Sequence, residues 1–269
     1  MAASPPALLS SRHRCPRIIL HSLVVVVSVF LVAAVLLHNS VFSSRLLPNS
    51  SPLLRHKTPL IVLLGDSITE YGANPRLMGY ASMLANDYVR RADIVNRGAA
   101  GWTSRKWLEH FPSMIQDWGH NPPALVSIAL GANDAALESD PVHVPVDEYA
   151  SNLRDMVRQI RTAFPTCMIM LVTPPTVDDA TCIWPRSNEQ AGVYAQMCVQ
   201  VGAALNVSVV DVWSAFLHEN QQNRTTVLHV PDGLHLNGPG NMLLHDLWLA
   251  QVHLDMPQLS PRHLPIVFS

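Results

Sequence analysis

The stretch Leu63-Leu64-Gly65-Asp66-Ser67-Ile68-Thr69-Glu70-Tyr71-Gly72 decides how the rest of the chain is read. It closes an apolar run, Leu60 to Leu64, that stops at once on Gly-Asp-Ser. A short apolar run bounded by glycine reads as a buried strand, and open α/β sheets keep their chemistry at the carboxyl ends of such strands. Ser67 is therefore either a nucleophile or the N-cap of a following helix, the usual fate of a serine after a strand.

Working outward, apolar runs recur at Leu60–Leu64, Ile94–Val95, Ala124–Leu130, Cys167–Thr173 and Val207–Val212, and read as five strands. Helical stretches separate them at Gly79–Arg91, Ser104–Asp117, Val146–Ala163 and Glu189–Leu205, and a last one runs near Pro239–Leu254. In that last stretch Met242, Leu243, Leu247, Leu249 and Ala250 form an apolar stripe behind a Gly-Pro-Gly start. Strand and helix in alternation predict an α/β domain, a five-stranded parallel sheet with helices on both faces.

A parallel sheet brings its strand ends to one edge. Strand one ends in Gly65-Asp66-Ser67, strand two in Asn96-Arg97-Gly98 and strand three in Gly131-Ala132-Asn133-Asp134, while Asp232-Gly233-Leu234-His235 follows strand five. A hydroxyl, a glycine amide, a carboxamide and an imidazole on one edge are the parts of an acyl-transfer site. Ser67 needs a base to take its proton, and His235 suits that task near neutral pH. Asp232, three residues earlier, is spaced to hold one imidazole nitrogen. The amides of Ser67 and Gly98 and the side chain of Asn133 would donate to the oxyanion that forms on attack.

Each residue has a plainer reading. Asn133 could hold a turn, Gly98 could supply a left-handed backbone, and Asp66 and Asp134 read as loop-stabilising residues. Trp102 and Trp107 read as packing residues. Together, however, the blocks GDSIT, NRG, GAND and DGLH resemble, in order, those of the SGNH or GDSL-type serine esterases and lipases, and within them the isoamyl-acetate-hydrolysing branch. The resemblance spans about Leu60 to Leu254. It implies a three-layer αβα flavodoxin-like sandwich with strand order 2-1-3-4-5, Ser67 as nucleophile, Asp232 and His235 as acid and base, and Ser67, Gly98 and Asn133 as the oxyanion hole. Ile68 stands where much of that family has leucine.

The amino-terminal part has a different character. Residues 18–37, IILHSLVVVVSVFLVAAVLL, carry no formal charge and as a helix would span about 30 Å, the thickness of a bilayer core. They read as a signal anchor, with cleavage after Val32-Ala33-Ala34 as the alternative. Arg12, Arg14 and Arg17 lie close to its amino-terminal side, which favours a cytoplasmic tail over residues 1–17 and a lumenal or extracellular globular part. Sequons at Asn49, Asn206 and Asn223 agree with that side. Residues 38–58 read as a stem, 59–256 as the hydrolase domain and 257–269 as a tail.

Composition excludes other classes. The net charge of −2 over 269 residues gives no nucleic-acid-binding balance. Cys15, Cys167, Cys182 and Cys198 have no metal or redox spacing, and a Cys182–Cys198 bridge is left open. There is no G-x-S-x-G elbow, phosphate loop or H-E-x-x-H helix, so no metal and no cofactor is expected. The function read from the chain is a membrane-anchored serine esterase acting on short-chain, acetyl-type esters. Acyl transfer to, or deacetylation of, glycans or lipids is its nearest competitor. A silent lumenal binding protein is the alternative of another class; it would have no need of all five residues.

Overall fold

The computed structural model describes residues 58–222 and 228–267. The proposed anchor at 18–37, the stem, Asn49 and Asn223 lie outside them. Among the described residues no helix is long and apolar enough to cross a membrane.

Five parallel strands form one sheet in the order β2-β1-β3-β4-β5: β1 Leu60–Gly65, β2 Asp93–Gly98, β3 Leu125–Ala129, β4 Met168–Val172 and β5 Ser208–Val210. This is the 2-1-3-4-5 order that the resemblance implied. Among the described residues seven α-helices connect and follow them: α1 Ser67–Tyr71, α2 Tyr80–Asp87, α3 Ser104–Trp118, α4 Val146–Ala163, α5 Asn188–Leu205, α6 Val212–Gln222 and α7 Gly238–Asp255.

β1 is apolar throughout because it is central. All six residues are buried, and alternate side chains enter two different cores. Val62 and Leu64 pack with Trp107 of α3, Leu153 of α4 and Tyr194 of α5. Ile61 and Leu63 pack on the other face with Leu84 of α2, Phe216 of α6 and Trp248 of α7. Truncating a fully buried leucine such as Leu64 to alanine would cost about 2–5 kcal/mol. By contrast β2 lies at the sheet edge and is only partly buried, which is why Asp93, Asn96 and Arg97 are tolerated in it.

Helix α4 follows from its period. Tyr149, Leu153, Met156, Val157 and Ile160 are buried at spacings of three and four, and Asp147 and Glu148 occupy the first turn, where the helix dipole favours acids. Four features differ from the sequence expectation, the first being that α7 buries Gly240, Asn241, Leu244, Trp248 and Val252, whereas Met242 and Ala250 of the expected stripe are exposed. The helix expected over Gly79–Arg91 ends at Asp87, because Tyr88 leaves the helical conformation and Arg90 adopts a φ of 60°. α1 and α6 were not anticipated, being too short or too weakly periodic. Residues 257–267 are not a loose tail, since Leu259 and Leu264 are buried in the core that holds Trp248.

Strand register levels the functional edge. Gly65 pairs with Gly98 on one side and with Ala129 on the other, so the segments leaving β1, β2 and β3 emerge side by side.

Candidate active site

The turn after β1 has its glycine for steric reasons. A Cβ at Gly65 would lie 2.1 Å from Thr69 Oγ1 and 2.8 Å from the Ala129 carbonyl, so only glycine lets α1 fold back on the strand end. The Gly65 carbonyl accepts from Trp107 Nε1 at 2.9 Å and from the Ala99 amide at 3.0 Å. Asp66, not Ser67, is the N-cap: its Oδ1 accepts from the Ile68 amide at 2.9 Å. Ser67 is thus the first helical residue, and its own amide is among those that a helix start leaves without an internal partner. Burial pushes the Asp66 carboxyl up to about 7 against the Ile68 hydrogen bond, and nearby Asp134 adds to the rise.

His235 reaches Ser67 across 168 residues of sequence. Its Nε2 lies 2.8 Å from Ser67 Oγ, and its Nδ1 lies 2.6 Å from Asp232 Oδ2. A carboxylate can only accept, so Nδ1 carries the proton and Nε2 is left to take one from the serine. Asp232 Oδ1 accepts from the amides of Leu234 and His235 at 2.9 and 3.0 Å, which fixes the acid within its own turn. Burial raises the Asp232 carboxyl, but the bonds from the His235 ring and the two amides outweigh it and hold the group below the usual carboxylate range. Gly233 makes the turn with a φ of 73°. Tyr71 lies against the His235 ring, centroids 5.0 Å apart.

Asn133 sits on the same edge. Its Nδ2 donates to the Trp102 carbonyl at 3.0 Å, and its Oδ1 accepts from Arg186 Nη2 at 3.2 Å. One Nδ2 proton remains for another acceptor.

Gly98 is used differently from the expectation. Its amide donates to Asn96 Oδ1 at 2.7 Å, and Asn96 Nδ2 donates to the Thr69 carbonyl at 2.6 Å. A Cβ on Gly98 would lie 2.0 Å from the Glu70 amide nitrogen. The residue is a point of close approach between β2 and α1, and its N–H is already engaged. Gly101, on the loop after β2, is exposed, has a φ of 75°, and its amide has no partner among the described residues. The signal in the sequence was the second glycine of Gly98-Ala99-Ala100-Gly101, which lies past the strand end where a loop amide is free.

Three other residues, Glu70, Arg186 and Ile183, escaped the sequence reading, while Asp134 stabilises its loop as expected. Glu70 Oε2 accepts from the Ala100 amide at 2.6 Å and ties α1 to the β2 loop. Asp134, buried, accepts from both the amide and the hydroxyl of Ser104, and burial pushes its carboxyl up to about 6 against those bonds. Arg186 and Ile183 come from the segment 173–187 between β4 and α5; the Ile183 amide donates to the Asp232 carbonyl at 3.2 Å. Trp102 and Trp107 pack on each other, with Trp107 buried. Cys167, Cys182 and Cys198 are all unbridged.

The model of the GDSL-like lipase/acylhydrolase family matches residues 63–243. The chain belongs to that family. This GDSL-family chain is 37% identical over 227 residues to a GDSL esterase/lipase of Arabidopsis thaliana, covering 78% of this chain and 91% of the relative. It is 35% identical to the isoamyl acetate-hydrolyzing esterase 1 homolog of Rattus norvegicus, over 76% of this chain and 86% of that one. The isoamyl acetate-hydrolyzing esterase of Saccharomyces cerevisiae is 29% identical, over 76% and 90%. Among solved structures, an acetyl xylan esterase matches with a TM-score of 0.62 at 18% identity, over 72% of this chain and 99% of that chain, a likeness of fold. The lipase/acylhydrolase of Enterococcus faecalis matches with a TM-score of 0.59 at 25% identity, over 79% and 100%. As a GDSL-family member the protein is a carboxylic ester hydrolase by class.

Proposed function

We propose that the protein hydrolyses short-chain, acetyl-type carboxylic esters through an acyl-enzyme on Ser67. The observation that carries the reading is the unbroken hydrogen-bonded line from Asp232 through His235 to Ser67. In the first step the Ser67 Oγ–H bond breaks, the proton passes to His235 Nε2, and Oγ bonds to the ester carbonyl carbon. The resulting oxyanion takes hydrogen bonds from the Ser67 amide and the free Nδ2 proton of Asn133. A third donor comes from the loop after β2, where the Gly101 amide is unpartnered and that of Gly98 is not. His235 then returns its proton to the departing alkoxide, leaving acetyl-Ser67. Water attacks that ester with His235 again as base, acetic acid leaves and Ser67 Oγ is reprotonated. Asp232 stays ionised throughout and stabilises the imidazolium, in keeping with a carboxyl held low.

The acetyl preference is supported by the names of two relatives, the yeast isoamyl acetate-hydrolyzing esterase and the rat isoamyl acetate-hydrolyzing esterase 1 homolog. The decisive experiment is hydrolysis of p-nitrophenyl acetate, butyrate and palmitate by the full chain in detergent, with a Ser67→Ala control and fluorophosphonate labelling. Serine-dependent turnover that falls steeply with chain length is expected. A folded protein that neither turns over nor labels would sink the reading.

The same chain is read as a single-pass membrane protein held by residues 18–37, with the catalytic domain lumenal or extracellular. Asn206 supports that side, being exposed at the C-cap of α5 with a φ of 49°. Resistance to alkaline carbonate extraction, together with an endoglycosidase-sensitive mass shift reduced in Asn206→Gln, is the expected result. Release of a shortened chain to the medium would instead indicate signal cleavage.

A further inference from the structure

Asn133 can serve an oxyanion only if its carboxamide faces the right way. Its two ends are nearly isosteric, and a carboxamide turned round would put an oxygen where negative charge develops. The Trp102 carbonyl holds the Nδ2 end at 3.0 Å, and the Oδ1 end needs a donor to complete the choice.

Arg186 is built to choose. Its side chain is only 5% exposed, although arginine is seldom buried unless paired. Nε donates to the Ala132 carbonyl at 3.0 Å, Nη2 to Asn133 Oδ1 at 3.2 Å, and Nη1 to Asp140 Oδ2 at 2.9 Å and to the Pro185 carbonyl at 3.2 Å. A guanidinium has donors and no acceptor, so it accepts Oδ1 as a neighbour and repels the amide NH2. Asp140 neutralises the buried charge and is itself steadied by the Val142 amide, which donates to its Oδ1 at 3.0 Å.

We propose that Arg186 is a positioning residue of the oxyanion site: by binding Asn133 Oδ1 it turns Nδ2 toward the substrate and polarises the carboxamide as a stronger donor. This rests on the acyl-enzyme reading of Ser67. It adds that a residue from the segment 173–187, without touching substrate, governs the transition state. The bond to the Ala132 carbonyl, in the peptide that precedes Asn133, ties the guanidinium that holds Oδ1 to the backbone that carries the carboxamide.

The test is a double-mutant cycle on p-nitrophenyl acetate with the full chain in detergent. Arg186→Met is paired with Asp140→Asn so that no buried charge is left alone. Arg186→Lys, which retains charge but not the fork, serves as the milder variant. We expect Arg186→Met/Asp140→Asn to lower kcat about 10- to 100-fold with KM within about twofold, and Arg186→Lys to fall between it and the parent. In an Asn133→Ala background the same changes should lower kcat by less than about twofold, since there is no carboxamide left to orient. Equal losses in both backgrounds, or an unchanged kcat in either folded Arg186 variant, would overturn the proposal. If the paired variant does not fold, the Arg186→Lys cycle decides on the same criterion. Absence of serine-dependent turnover in the parent is a different failure, that of the esterase reading itself.

Discussion

The turn at 65–71 and the segment 173–187 flank one site and are built in opposite ways. In the first, each requirement is met within a few residues: Gly65 makes room for Thr69, Asp66 caps α1, and Ser67 follows at once. The second supplies no member of the Ser67-His235-Asp232 line, yet it holds three parts of the site from outside. The Ile183 amide binds the Asp232 carbonyl, the Asp178 amide binds the Gly233 carbonyl, and Arg186 binds Asn133. Reactive groups are specified locally, whereas their orientation is specified at long range.

The largest effect should fall on the local side. Ser67→Ala is expected to lower kcat for p-nitrophenyl acetate by about 10⁴-fold or more with an unchanged melting temperature, because only the proposed nucleophile is removed. Asn133→Ala should cost about 100- to 1000-fold in kcat, the usual loss of one oxyanion donor, if it serves as proposed. A loss as large as that of Ser67→Ala would mean that Asn133 does more than donate.

The contact between the segment 173–187 and the Asp232–His235 turn should be read in stability. Gly233→Ala places a Cβ 2.4 Å from the Cys182 amide nitrogen at a φ of 73°. It is expected to destabilise the fold by about 1–3 kcal/mol, read from urea denaturation. Intact stability would show that the segment near Cys182 gives way without strain.

The smallest effect sharpens the role of Asp66. Its folded value is raised to about 7, while the unfolded chain titrates near 3.8, so between those values the folded state holds a proton that the unfolded state has lost. Stability from this group therefore falls as pH rises through 7. The melting temperature should be higher at pH 6.5 than at pH 8, and the difference should shrink in Asp66→Asn, which keeps an acceptor for the Ile68 amide. His229, whose buried ring is held below the usual imidazole value, works in the opposite sense below that range.

What the sequence disclosed follows the same division. The apolar run of β1, the five-strand alternation and the spacing of Asp232 to His235 are contiguous signals, and each appears in the fold. Gly98 misled because its neighbourhood is set across the sheet. Nothing in Asn-Arg-Gly says that the Asn96 side chain will occupy the glycine amide, or that Glu70 will lie against its Cα. Arg186 was invisible for a related reason: 53 residues separate it from Asn133, and a lone arginine in a proline-rich loop has no period or motif. The short α1 was hidden because five residues cannot display helical periodicity.

The bond between Ser67 and His235 joins positions 168 residues apart. During synthesis the serine, its cap and the central strand emerge early, while His235, its proposed base, emerges only after all five strands have been made. On the proposed mechanism, no nascent chain can therefore hold an activated nucleophile until the sheet is already available to receive the last helix. Contacts of such separation are also slow to close. In refolding, burial of the sheet should precede reactivity of the serine, and the interval between them is a period in which the structured protein is chemically inert.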